Sequence, residues 1–303
     1  MQWLAGWDRF WFTAARPETL ALIRICSGAM LVYIHVIWLS LVNQFMGKDA
    51  WINLSTIQML HREDFGWSWL HYVDNPTILI AHQLIAIAAS LAMTLGWMTR
   101  IAIPLAWWMT LMVCHRMTGA LFGLDQTVMM LTMYLIWSNC GSVWSIDAGL
   151  AKKKGLHWLR PSAQPAICNN VVTRLIQLHL CVIYLFGGLS KMRGEMWWDG
   201  SAIWFSVVNY EYQSLDLTWI GYFPFLVGLI TAATIFWETF YVALVWPKLT
   251  RPITLCMAVL VHGGICVALG MWTFGTIMIV ANIAFLKPEQ IARWVGKLTS
   301  RSK

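Results

Sequence analysis

Apolar residues run in long blocks along this chain, and short polar stretches separate them. The blocks fall near 19–42, 78–98, 101–121, 126–142, 171–192, 225–246, 252–270 and 271–287. A helix needs ~20 apolar residues to cross a bilayer. The pattern therefore predicts an all-α fold: a polytopic transmembrane helix bundle with about eight spans. The third and fourth blocks are separated only by the turn FGLDQ, and the last two only around Gly270. Two connections, 43–77 and 193–224, are much longer. Both are aromatic, with Trp51, Trp67, Trp69, Trp197, Trp198, Trp204 and Trp219. Such lengths exceed simple turns, and indole rings favour the membrane–water interface. Long interfacial loops with short helices are expected on the outer side.

Composition agrees with this reading. Of 303 residues, 59% are hydrophobic and 12% charged, against about 25% charged in soluble domains. The net charge of +7 does not point to nucleic acid, because the charges cluster between apolar blocks. With a cytoplasmic N-terminus, the inside segments collect Arg9, Arg16, Arg100, Lys152, Lys153, Lys154, Arg160, Lys248, Arg251 and a basic tail. The outer segments keep Lys48, Arg62, Arg116 and Arg193 among many acids. The positive-inside rule then puts both termini in the cytoplasm, across a bacterial inner membrane or an endoplasmic reticulum membrane. The whole chain, 1–303, reads as one membrane domain. It has a cytoplasmic basic loop at 143–170, an outer interfacial loop at 193–224 and a basic cytoplasmic tail at 288–303. The block at 19–42 is too long for a signal h-region and is expected to remain as the first span. Seven scattered cysteines form no CxxC pair. They read as small packing residues, and no metal site is expected.

Polar residues inside the blocks carry the chemistry. Positions 174, 177, 181, 184, 188 and 191 are spaced three or four apart and share one helix face. They are Arg174, Gln177, Cys181, Tyr184, Gly188 and Lys191. A polar stripe on a membrane helix must face protein or a cavity. Lys191 is either a snorkelling anchor at the interface or a reagent. Gly187 and Gly188 either free space for its stem or let helices pack closely. Arg24 and Glu238 lie deeper. A charge at the bilayer centre costs ~3 kcal/mol or more, and a structural Arg24–Glu238 pair would offset part of that. His262 reads as a hydrogen-bonded core histidine or a ligand contact.

The run Y-L-F-G-G-L-S-K-M at 184–192, followed by W-W-D-G-S-A at 197–202, resembles the core motif of the horizontally transferred transmembrane (HTTM) family. That family contains the membrane part of vitamin K-dependent gamma-carboxylase. L-I-R-I-C-S-G at 22–28, W-S-I-D at 144–147 and V-H-G-G-I-C-V-A-L-G-M-W-T-F-G-T-I-M-I at 261–279 support it. The resemblance covers most of the chain. It implies a lyase that oxidises reduced vitamin K, or another hydroquinone, to its epoxide with dioxygen. It also implies coupled carboxylation of protein glutamate by carbon dioxide. The catalytic base falls on Lys191, which the charge pattern independently places at the outer end of its helix. A lysine is too weak a base for a glutamate gamma hydrogen, so the cofactor carries the hard step. Tyr184, Gly188, Asp125, Gln126, Trp198 and His262 are the expected pocket neighbours.

By position, Asp125–Gln126 falls where the carboxylase has an asparagine–histidine step. An aspartate beside Lys191 would keep the ammonium charged. After the eighth block no counterpart of the carboxylase's large lumenal region is read. Two further functions therefore stand beside the enzyme: a non-catalytic quinone- or lipid-binding membrane protein or accessory subunit, and a small-solute transporter. The partners expected are the bilayer, a quinone and a protein glutamate substrate, with no nucleic acid.

Overall fold

The computed structural model describes residues 2–62, 65–154 and 163–300. Every regular element among them is helical. Ten helices have eleven residues or more. They are α1 Gln2–Phe12, α2 Glu18–Ser40, α3 Pro76–Leu95, α4 Thr99–Arg116, α5 Gly123–Leu135, α6 Ile167–Lys191, α7 Pro224–Leu244, α8 Arg251–Leu269, α9 Trp272–Asn282 and α10 Pro288–Ser300. Arg160, and Arg301 and Lys303 of the expected basic tail, lie outside the described residues.

Five of these helices, α2, α3, α6, α7 and α8, are long and apolar enough to cross a membrane. The other three apolar blocks form less apolar or shorter helices. In α4, Arg100, His115 and Arg116 near the ends and Trp107, Trp108 and Thr110 in the middle dilute the apolar character. Helix α5 has 13 residues, roughly 20 Å at 1.5 Å per residue. Helix α9 has 11 residues and is continued by the 3₁₀ turn Ile283–Phe285. Both long connections contain short helices: Val42–Met46, Leu54–Leu60 and Trp69–Tyr72 in the first, and Glu195–Trp198, Ala202–Val207 and Thr218–Tyr222 in the second.

The chain divides into two compact units. One is Met1–Arg174 with Leu286–Lys303, and the other is Leu175–Phe285. In the first, α2 packs on α3 and α5, and α4 packs on both of those. Gly28 makes the α2–α3 approach possible: a Cβ there would meet Thr94 Oγ1 at 2.5 Å and Thr94 N at 3.0 Å. Helix α3 starts on Pro76, with Asn75 capping Thr77 N, and ends at Gly96 in the left-handed region. The turn into α4 puts Met98 at φ 48. Asp147 holds it there, accepting from Met98 N, Thr99 N and Thr99 Oγ1 at 2.8–2.9 Å.

Arg24 is buried in this unit, and its partners overturn the expected Arg24–Glu238 pair. Its guanidinium donates to the carbonyls of Met93 (2.5 Å), Thr94 (2.9 Å), Trp144 (2.7 Å) and Cys140 (3.3 Å). Met93 and Thr94 close the last turn of α3, where carbonyls lack intrahelical donors and the helix dipole is negative. Glu238 pairs with Lys191 instead.

In the second unit, α8 and α9 form a tight hairpin. Gly270 turns the chain at φ +69, and Gly275 lies against α8 so closely that a Cβ would collide with the His262 carbonyl and Cys266 Sγ. This contact seats the backbone of α8 at His262 directly against α9.

Candidate functional site

The site grows from the C-terminal half of α6. Below Lys191, the stripe meets a protein partner at each polar step. Gln177 donates to the Ala284 carbonyl at 2.7 Å. Tyr184 Oη lies 2.7 Å from His262 Nε2 and accepts from Asn282 Nδ2 at 2.8 Å. Tyr241 Oη donates to Asn282 Oδ1 at 2.6 Å, and Asn282 also donates to the Met278 carbonyl. The Tyr184 ring lies tilted by 32° against Tyr241, 4.1 Å between centroids, and meets Trp237 edge-on at 4.9 Å. Tyr184 is thus locked by hydrogen bonds at its tip and by rings on its faces.

The network assigns the tautomer of His262. Tyr184 Oη accepts a hydrogen bond from Asn282 Nδ2, so its own O–H is left to donate to His262 Nε2. The neutral imidazole then carries its proton on Nδ1. That atom is buried and has no hydrogen-bond partner among the described residues. Thr239 Oγ1 is in the same condition. A buried donor or acceptor left unmet costs about 1–3 kcal/mol.

Lys191 closes the stripe. Its Nζ lies 2.6 Å from Glu238 Oε2, with side-chain exposures of 30% and 10%. The contact is an ion pair between a part-exposed ammonium and a largely buried carboxylate. Lys191 Nζ also sits 5.6 Å from the centre of the Trp197 ring. The two glycines divide the work. A Cβ at Gly187 would be in ordinary contact with Glu238 Oε2, 3.5 Å, and Lys191 Nζ, 3.9 Å. A Cβ at Gly188 would reach Thr239 Oγ1 at 2.5 Å, N at 2.8 Å and Cα at 2.9 Å. Gly188 is therefore the crossing point of α6 and α7, and Gly187 is the position beside the ion pair.

Of the expected site residues, Lys191, Tyr184 and His262 come together in one unit, and Gly188 packs beside them. Trp198 is 69% exposed and donates to the Met192 carbonyl at 2.6 Å. The indole beside the lysine is Trp197. Asp125 and Gln126 belong to the other unit. Asp125 Oδ2 accepts from Phe122 N at 3.1 Å and caps its own helix, while Gln126 is exposed. The carboxylate that holds Lys191 is Glu238. The downstream D-G-S turn lies on a neighbouring pocket of about 410 Å³ lined by Asp199, Gly200, Ser201 and Trp204. Two bonds from Ser201 hold the exposed Asp199 carboxyl below the usual carboxylate range. Among the described residues no group of three or more His, Cys, Asp or Glu side chains is placed to hold a metal.

Sequence reasoning assigned Glu238 to the wrong cation and did not single out Tyr241, Thr239 or Trp197 for the site. One signal was available: Glu238 and Tyr241 are three apart and share a face of α7. Nothing in spacing links either to position 191. Compared with models of known protein families, with curated proteins and with solved structures, the chain has no match.

Proposed function

We propose that this protein is a multi-pass membrane enzyme that takes a proton from a hydroquinone at the Lys191–Glu238 pair, with carboxylase-like chemistry downstream. The observation that carries the reading is the pair itself. An ionisable couple within apolar helices is expensive to keep, and this one is only partly covered. Charged groups in such places mark functional sites more often than scaffolding.

The residues around the pair fit an oxygen-bearing aromatic ring. Lys191 has N–H donors beyond the one facing Glu238, and Trp197 supplies a flat apolar wall. Among the described residues, His262 Nδ1 and Thr239 Oγ1 are a donor and a hydroxyl without partners. A hydroquinone supplies, when bound, phenolic protons and the reducing electrons that dioxygen consumes. The chain's own part is proton handling. Paired as ammonium and carboxylate, Lys191 and Glu238 are together neutral. The Glu238 carboxylate accepts the proton and becomes the acid, and the couple then bears one net positive charge. The Lys191 ammonium stabilises an oxyanion beside it in a poorly hydrated setting, where such a contact is strongest. Tyr184, Trp237 and Tyr241 exclude water beneath. The base is thus the couple rather than a free amine. Protein glutamate is the proposed carboxylation substrate.

A second reading, a non-catalytic quinone- or lipid-binding protein or accessory subunit, is favoured by the same ion pair. An opposite charge in contact favours the ammonium, which anchors a ligand without reacting.

The test uses the purified protein in detergent with chemically reduced naphthoquinone under air, and mass spectrometry for the quinone epoxide. Epoxide from the wild type is expected, lost in Lys191→Ala and Glu238→Gln. Lys191→Arg keeps the ion pair, but its guanidinium does not change protonation. Turnover in Lys191→Arg combined with loss in Glu238→Gln identifies Glu238 as the acceptor. Lys191-dependent retention of quinone without epoxide selects the binding reading. Neither retention nor epoxide from the wild type sinks both.

A further inference from the structure

The first unit carries two short amphipathic helices, α1 and α10. In α1, spacing of three and four puts Trp3, Leu4, Trp7, Phe10 and Trp11 on one face, with Ala5 and Arg9 on the other. In α10, Ile291, Trp294 and Val295 share a face, and Glu289, Arg293 and Lys297 run four apart along the opposite one. Neither helix is long enough to cross a bilayer. Their 11 and 13 residues reach roughly 16 and 20 Å, against a hydrocarbon core of about 30 Å. Neither covers its apolar face with protein. Trp3 is 92% exposed, Trp7 61% and Trp294 53%. Ile291 is buried, and α10 packs on α2.

Both helices are tied to the starts of membrane-length helices. The last carbonyls of α1 lack intrahelical donors, and the first turns of α6 supply them. Asn170 Nδ2 donates to the Phe10 and Trp11 carbonyls at 2.7 and 2.8 Å, and Arg174 Nε donates to that of Phe10 at 3.2 Å. The Arg174 guanidinium also covers the Phe10 ring, 4.4 Å from its centre. Ala15 and Ala166 exchange two backbone hydrogen bonds, 3.1 and 3.0 Å, just before α2 and α6 begin. On the side of α10, Thr19 Oγ1 in the first turn of α2 donates to the Leu286 carbonyl at 3.3 Å. Arg16, paired with Glu18, also feels the charge of Glu289. The end of a spanning helix lies at the membrane–water boundary, so these ties hold α1 and α10 at that depth. Exposed Phe12 and Ile167 continue the apolar rim beside them.

Tryptophan is the side chain that favours this depth. A helix with indoles on one face and basic residues on the other suits the plane between headgroups and acyl chains. Arg9 and Arg293 are exposed on the polar faces, where phosphates and water lie. We propose that α1 and α10 are interfacial helices lying on one leaflet, and that a phospholipid bilayer covers Trp3, Trp7 and Trp294. The proposal rests on the membrane-length helices and not on Lys191 or a quinone.

The experiment puts the full-length protein into nanodiscs of phosphatidylcholine and phosphatidylglycerol. The photo-reactive amino acid benzoylphenylalanine replaces Trp7 or Trp294, and Arg9 or Arg293 for comparison. All four side chains are exposed, so the fold is kept. A fifth variant carries it in place of Leu84, exposed midway along α3, and reports that the spans are inserted. After illumination, mass spectrometry reads what each position has captured. Phospholipid adduct is expected at positions 7 and 294, at least about fivefold above positions 9 and 293. Capture of a second copy or of another stretch of the same chain at position 7 or 294 overturns the proposal. So does equal lipid capture on both faces, or none at position 7 or 294 while position 84 labels. No lipid adduct at position 84 either removes the spans and the proposal with them, whatever Lys191 does.

Discussion

Both units of this protein use the same helix crossing, and they put different chemistry beside it. In the first unit Gly28 of α2 lies on Thr94, and Arg24 stands one turn away on the same helix. In the second unit Gly188 of α6 lies on Thr239, and Lys191 stands one turn away. The backbones approach almost equally closely, since an added Cβ would meet the threonine nitrogen at 3.0 Å in one and 2.8 Å in the other. The cations differ. Arg24 is 0% exposed, and its donors are distributed over four carbonyls. Lys191 is 30% exposed and has one carboxylate. A planar fork can satisfy several fixed carbonyls at once, whereas an ammonium is a point charge on a flexible stem. A cation with each of its three nitrogens bonded to backbone is a fastener. A cation with one partner and an open side can receive something.

The comparison can be broken most sharply at Arg24. Replacing Arg24 by Met strands the carbonyls at the end of α3 and those of Cys140 and Trp144. A loss of roughly 3–5 kcal/mol is expected, and Arg24→Lys should recover little, because one ammonium cannot reach four carbonyls. Thermal melts of purified variants decide this; a melt within a degree or two of wild type would show that Arg24 is no fastener.

The glycines give the next largest effect. Gly188→Ala forces a Cβ into the backbone of Thr239 and should cost about 1–3 kcal/mol. Trimming Thr239 to Ala should not rescue it, because the new methyl would still press on the backbone of residue 239. Gly187→Ala meets only ordinary contacts and gains helix propensity, up to about 1 kcal/mol, so its Tm should equal or exceed wild type. The opposite ranking would mean that Gly188 serves the lysine and not the crossing.

The smallest effect is expected at the ion pair. A double-mutant cycle over Lys191→Ala and Glu238→Ala should give a coupling near 1 kcal/mol, at the lower end because solvent screens the part-exposed lysine. A coupling indistinguishable from zero would make the pair a passing contact and remove the proton-handling site with it.

Much of the scaffold was legible in advance. The five long apolar helices overlap predicted blocks, each starting one to four residues before its block, because hydrophobic length is a property of contiguous sequence. Three blocks formed less apolar or shorter helices, since tryptophans, a proline and end charges are counted in a block but do not extend a span. The face of α6 carrying Gln177, Tyr184, Gly188 and Lys191 was read correctly from its spacing. The partner of each was not. Glu238 was assigned to Arg24 because both were charged and deep, and Asp125 to Lys191 because both lay near predicted helix ends. Asp125 instead caps the helix it begins, the local use that a carboxylate in a first turn favours.

What the sequence by itself determined, then, is periodicity: which stretches are helices, which face of each is polar, and where glycines allow close approach. Those follow from 3.6 residues per turn and from side-chain size, which neighbours in the chain already encode. Which cation meets which acceptor was decided by the tertiary structure. Residues 191 and 238, or 24 and 144, come together only after the helices cross, and a buried charge takes whichever oxygen the packing brings within about 3 Å.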